Sequence, residues 1–268
     1  PRRNHIQFFG CCFFSSIALG DIGRNTESLS RMFEAAIGRE NTKILALPGF
    51  SLREYYELLK LQIHMGNKPK GAVLIANMAQ FMKRYQFLHD YSQHVELFEQ
   101  LKQEFVIVDS EYEVFLGDKR SRTENAQVRT EIRKTDANVS ERAARQKFKL
   151  KYLGEVEPES EGCKSLEKLL DYCKENGMKV LVVIAPVNYQ YGREVFGDKF
   201  NTYYEANVKL IQDMVGCVNM DFLDCSYLYA EEDYPNPMQS DELGSYSGRQ
   251  KIAEAILSKL GEWRASWA

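Results

Sequence analysis

Five short apolar runs punctuate the chain, at residues 5–9, 43–47, 72–76, 179–185 and 218–223. Each is followed by turn residues and then by a helical pattern. Val180-Leu181-Val182-Val183-Ile184 is unbroken and mostly β-branched. Such runs fit strands buried on both faces, as in a parallel sheet. Strands alternating with helices predict an α/β, doubly wound parallel sheet of about five strands between helices. Its crossovers are expected to be right-handed. Ligands on such sheets bind outside the carboxyl ends of the strands, which directs the search for chemistry there.

The helices carry their own punctuation. Ser51-Leu52-Arg53-Glu54 reads as a capping box, and so does Thr202-Tyr203-Tyr204-Glu205. Gly66 is placed as the glycine just past the end of the first of these helices. Gly177 closes a helix expected to begin near Ser165. A last helix is predicted from about Ser247 to Trp263, with Ile252, Ile256, Leu257 and Leu260 on one face.

A chain of 268 residues, 44% hydrophobic and with a net charge of −3, suits one large α/β domain over 1–268. Its longest apolar stretch, at 8–19, is interrupted by Ser15 and Ser16. It falls short of the roughly 18 residues that cross a bilayer. The six cysteines show no CxxC and no zinc spacing. They are expected to be mostly reduced and partly buried, with Cys163–Cys173 or Cys217–Cys225 pairing left open. No GxGxxG and no Walker loop is present, so neither a cofactor nor a metal is expected.

One segment, about 82–162, breaks the rhythm with long, charged, mostly helical sequence. It reads as a basic helical insertion between the third and fourth strands. Between Asp118 and Lys151 stand eleven Lys or Arg and five Asp or Glu, so the rest of the chain is acidic. Such a stretch is either a solvated helical face or a site for an anionic polymer or membrane surface. Arg129, Arg133 and Lys147 are its candidate polymer-binding residues. The aromatics of the basic stretch over 118–152, Phe148 and Tyr152, come only near its end, which argues against nucleic acid as a partner.

The candidate site residues follow the strands. Gly10-Cys11-Cys12 comes after the first run. Gly10 permits a tight turn, backbone N–H groups there suit an oxyanion, and Cys12 stands where a nucleophile would. A small core residue is the alternative for Cys12. Gly49 follows the second run and allows close approach of a ligand. Asn77 follows the third, and its amide either binds an oxyanion or satisfies a turn; Asn188 follows the fourth and is expected to face the same rim as an oxyanion- or substrate-binding residue. Asp241 and Glu242, before the last helix, are the acidic candidates, with a solvated loop as the alternative.

Taken in order, these places resemble the SGNH hydrolase superfamily. Within it they are most similar to the cell-envelope branch around the teichoic acid D-alanyl transfer protein (DltD) and the alginate acetylation proteins. Gly10-Cys11-Cys12 occupies the place of that family's Gly-Asp-Ser or Gly-Ser-Ser. Gly49 matches its glycine after the second strand, and Pro186-Val187-Asn188 its segment after the fourth. Asp241 and Gly248-Arg249 match the block before the last helix. Two positions depart: Cys12 stands at the nucleophilic serine, and Leu243 or Gly244 at the general-base histidine. Losing a triad member usually costs several orders of magnitude in rate.

The resemblance therefore implies an SGNH-like cell-envelope protein with a degenerate triad. It would bind, or help to transfer, acyl groups on an anionic or polysaccharide polymer. An active esterase or O-acyltransferase using Cys12, with Asp241 or Glu242 and a base that the motifs do not identify, is one alternative. A cytosolic flavodoxin-like ligand binder is another. The resemblance also implies an extracytoplasmic location, tethered by an N-terminal helix that is absent before Pro1.

Overall fold

The computed structural model describes residues 5–10, 28–45, 51–82, 141–234 and 245–267. Among them, five strands form one sheet: β1 (Ile6–Gly10), β2 (Thr42–Leu45), β3 (Gly71–Ala76), β4 (Lys179–Ile184) and β5 (Asp221–Asp224). All four pairings are parallel, in the order β2-β1-β3-β4-β5. The α/β doubly wound reading is therefore what the chain adopts.

Among the described residues, seven helices pack against the sheet: α1 (Leu29–Ile37), α2 (Leu52–His64), α3 (Glu141–Tyr152), α4 (Glu161–Glu175), α5 (Tyr189–Phe196), α6 (Asp198–Cys217) and α7 (Tyr246–Trp267). The strand period of two sorts the core into two layers. Ile6, Phe8, Val73, Ile75, Leu181 and Val183 face α1 and α7, where they join Phe33, Ile252, Ile256 and Trp263. Ala72, Leu74, Val180, Val182 and Ile184 face α2 through α6, joining Tyr55, Phe148, Leu166 and Ile211. The central strands β3 and β4 are thus buried on both sides, and for that reason their sequences show no polar alternation.

The start of α2 follows its sequence signal. Ser51 N–H donates to Glu54 Oε2 at 2.7 Å, and the Ser51 hydroxyl reaches the same oxygen. Gly66 and Gly177 take φ of 75° and 62°, left-handed values suited to glycine after a helix end. Three expectations are corrected. Thr202 opens no helix: it lies inside α6, four residues after Asp198, and its hydroxyl donates back to the Asp198 carbonyl at 3.0 Å. Helix α4 begins at Glu161, because Ser160 accepts from Cys163 N–H as its cap. Strand β5 starts only at Asp221, since Asn219 sits at φ 57°, which no strand allows.

The end of the basic segment is not wholly solvated. Phe148 and Tyr152 of α3 are buried at 0% and 1% exposure. Arg145, Gln146, Lys147 and Lys149 point outward. Residues 83–140, including Arg129 and Arg133, lie outside the described residues. Among the described residues, no helix is long and apolar enough to cross a membrane.

Candidate functional site

In the strand order 2-1-3-4-5, the direction in which successive parallel strands are added reverses between β1 and β3, and ligands bind at the carboxyl ends beside that switch point. Gly10 ends β1 there, in register with Ile75 of β3. Asn77 follows directly after β3. The exits of β3, β4 and β5 are then tied into one rim. Ala185 N–H donates to Ala76 O at 2.9 Å, Cys225 N–H to Ile184 O at 3.1 Å, and Val187 N–H to Ser226 O at 3.1 Å.

Both candidate amides sit on this rim, and both act as caps. Asn77 Oδ1 accepts from Ala79 N–H at 2.8 Å, opening a short 3-10 turn at Met78–Phe81. Asn188 Oδ1 accepts from Tyr191 N–H at 3.0 Å, opening α5. An N–H donor demands an oxygen, so each cap fixes which end of the amide is which. The Asn77 nitrogen end reaches Tyr152 Oη at 3.4 Å, joining the rim to the end of α3. The turn role foreseen for Asn77 is therefore real, and Asn188 plays the same part unforeseen. This role also presets the donor end of each amide, the polarity an oxyanion requires.

Of the other site residues expected from sequence, Cys12, Gly49, Asp241, Leu243 and Gly244 lie outside the described residues. Lys147 is exposed on α3. Among the described residues, no cluster of His, Cys, Asp and Glu is arranged to hold a metal ion.

Two polar constellations escaped the sequence reading. At the exit of β5, Asp224 Oδ1 accepts from Ser226 N–H at 2.9 Å and from the Ser226 hydroxyl. Ser226 Oγ in turn meets Tyr204 Oη at 3.1 Å. Ser226 and Tyr204 are fully buried, and burial raises the Tyr204 phenol well above its ordinary value. This chain fixes β5 to α6 and, through the Ser226 carbonyl, to the backbone before Asn188. The strand-end rule, applied to the Asp224-Cys225-Ser226 sequence, would have found it.

The second constellation joins Ala230–Asp233 to the start of α7. Asp233 is buried at 1% exposure, just before residues 235–244. Its Oδ1 accepts from Ser247 Oγ at 2.6 Å; its Oδ2 accepts from Ala230 N–H at 2.9 Å and pairs with Lys251 Nζ at 2.5 Å. Ser245 N–H donates to the Asp233 carbonyl at 2.6 Å. The two ends of the segment carrying Asp241 are thus held together.

Burial opposes the charge on Asp233, but the bonds from Lys251, Ser247 and Ala230 prevail and lower its pKa. A lowered carboxylate contributes stability above its unfolded value, about 3.9, and loses it as pH falls through the folded value. Asp233→Asn is therefore expected to lower the urea midpoint at pH 7 by the equivalent of about 1–2 kcal/mol. The difference from wild type should shrink steadily below pH 4. A difference independent of pH would show that the ion pair contributes nothing.

The described cysteines are all free thiols. Cys163, Cys173 and Cys225 are buried and Cys217 is exposed, which decides the pairing question against both disulfides. Burial pushes Cys173 and Cys225 up to about 12, and raises Cys163 as well. Iodoacetamide at pH 8 is accordingly expected to modify Cys217 and to spare these three in the folded protein. Peptide mapping after labelling checks this.

Fold and rim together define a doubly wound α/β protein whose polar side chains gather at the strand exits. No protein-family model matches the chain, and no curated protein matches it. Among solved structures it is similar to a catalytic mutant of an acetylxylan esterase from Geobacillus stearothermophilus. The two share 10% identity over 96% of this chain and 94% of that one, with a TM-score of 0.48. It is also similar to a GDSL-like lipase from Bacteroides thetaiotaomicron, at 10% identity over 97% and 89%, TM-score 0.46. A third is an alpha/beta hydrolase enzyme from the metagenome of Lake Arreo, at 10% identity over 96% and 95%, TM-score 0.47.

Proposed function

We propose that this chain is an SGNH-hydrolase-like protein that binds acyl esters at the β1–β3 switch point, and that it binds or helps to transfer them on an anionic or polysaccharide polymer of the cell envelope. One observation carries the reading. The switch point brings together the end of β1, two residues before Cys12, and the capped amide of Asn77. Cys12 at the nucleophile position, and Leu243 or Gly244 at the base position, favour binding or assisted transfer over rapid hydrolysis. Arg129, Arg133 and Lys147 supply the charge for the polymer.

The test has two arms. Purified protein is mixed with a teichoic acid polymer, and retention is compared between wild type and a triple Arg129→Glu, Arg133→Glu, Lys147→Glu variant. Retention that the triple variant loses supports the reading, and equal retention or none overturns it. In the second arm, p-nitrophenyl acetate turnover is measured in a Cys217→Ser background, with and without Cys12→Ala. Slow turnover unchanged by Cys12→Ala supports the degenerate triad. Multiple turnovers abolished by Cys12→Ala overturn it in favour of an active thiol esterase.

A further inference from the structure

Three cations surround one groove on the outside of the helical layer. Arg145, Gln146, Lys149 and Leu153 from α3 and its end meet Phe196 and Lys199 across a space of about 350 Å³. That volume lies within the range of small-molecule sites. Arg145 and Lys149 are one helical turn apart and share a face. Lys147, between them, lies about 200° round from Arg145 and faces elsewhere.

The floor of the groove is rigid and apolar. Phe196 stacks on buried Phe148 at 5.8 Å and 14°. Its ring also carries the Arg145 guanidinium, whose carbon lies 5.5 Å from the ring centre. Stacking of this kind holds the planar fork of an arginine in place for an acceptor with two oxygens. Lys199 stands in the first turn of the 20-residue helix α6, whose N-cap, Gly197, makes no side-chain capping bond. A lysine there sits at the positive end of the helix dipole and is disfavoured by it; Asp198 beside it is the acid of that turn. Among the described residues, none of the three cations has a carboxylate within ion-pairing distance. Three like charges gathered about one concavity, at an uncapped helix start, raise the local affinity for an anion.

We infer that this groove binds a small organic phosphate: a phosphate group held by Arg145, Lys149 and Lys199, with an apolar or aromatic body against Phe196 and Leu153. The site is separate from the strand-exit rim and does not depend on any ester chemistry there. Along α3, Arg145 lies about 10 Å from Tyr152, the residue that touches Asn77.

Phenyl phosphate, with inorganic phosphate and benzyl alcohol as the two half-ligands, tests the inference by calorimetric titration of the full chain. Phenyl phosphate is expected to bind saturably and more tightly than either half. Lys149→Glu and Lys199→Glu should each weaken it by about tenfold, as for a lost charge-assisted contact. Phe196→Leu should erase the advantage of phenyl phosphate over inorganic phosphate. Lys209→Glu alters an exposed lysine of α6 that pairs with Asp213 and should leave binding unchanged. Absence of saturable binding overturns the site, as does equal binding by the Lys149 and Lys199 variants, or an equal loss in Lys209→Glu. All four substituted side chains are at or near the surface, and circular dichroism confirms that each variant is folded.

Discussion

Phe148→Ala is expected to destabilise the protein by about 4 kcal/mol, the upper-middle range for removing a buried aromatic ring. Phe148 has no exposed surface and lies at the centre of a ring cluster. Its ring centre lies 4.8 Å from Tyr152, 5.3 Å from Tyr191, 5.3 Å from Phe200 and 5.8 Å from Phe196. These partners come from α3, α5 and α6, so a cavity here opens where three helices meet and cannot be filled by one of them shifting. Each edge-to-face or offset pair adds to the transfer loss. Phe148→Leu retains most of the volume and is expected to cost about half as much. Urea unfolding followed by tryptophan fluorescence and far-ultraviolet circular dichroism measures both. A loss below about 1 kcal/mol for the alanine variant would mean that α3 is not docked in solution. The contact of Tyr152 with Asn77 would then have no basis.

That dependence explains what the sequence could and could not tell. The strands were legible because β3 and β4 are buried on both faces, and Val180–Ile184 has nothing but apolar side chains to show for it. The start of α2 was legible because a capping box is local: Ser51 and Glu54 satisfy each other. Thr202 and Glu205 have the same spacing and deceived the reading. Their signal is equally local, but Gly197 already turns the chain into α6 five residues earlier. Asn77 and Asn188 were found by rule, from their places after strands. Their partners were not, because Tyr152 and Asn77 are 75 residues apart and no spacing links them. Asp233 and Lys251 are 18 apart and Tyr204 and Ser226 are 22 apart, again with no spacing rule to link them. The basic segment shows the same limit. Its composition announced positive charge, and only the helix geometry divides Arg145 and Lys149 from Lys147. Phe148, read with Tyr152 as one of few aromatics in a charged stretch, is the residue that fastens the end of that stretch to the core.

Gly162→Val is expected to cost about 3 kcal/mol, and the reason lies in backbone rather than side chain. Gly162 is the second residue of α4, a place where helix propensity alone would favour almost any replacement, by up to about 1 kcal/mol for alanine. A Cβ at this position would stand 2.8 Å from Phe81 Cα and closer still to the Gln80 carbonyl oxygen. Both atoms belong to the 3-10 turn that Asn77 caps, and main chain cannot rotate away as a flexible side chain does. Overpacking of this kind costs about 1–3 kcal/mol, so the clash outweighs the propensity gain. Gly162→Ala is accordingly expected to destabilise by about 1–2 kcal/mol, opposite in sign to a glycine-to-alanine change in an exposed helix. The relief available to the protein is to push the turn at Met78–Phe81 away from α4. That movement would shift Asn77 relative to β1, so the ligand affinity of the rim should fall along with stability in the same variants. A stabilising Gly162→Ala, read from its urea midpoint, would show that α4 and the turn are free to part. The Asn77 amide would then not be held at the switch point by packing.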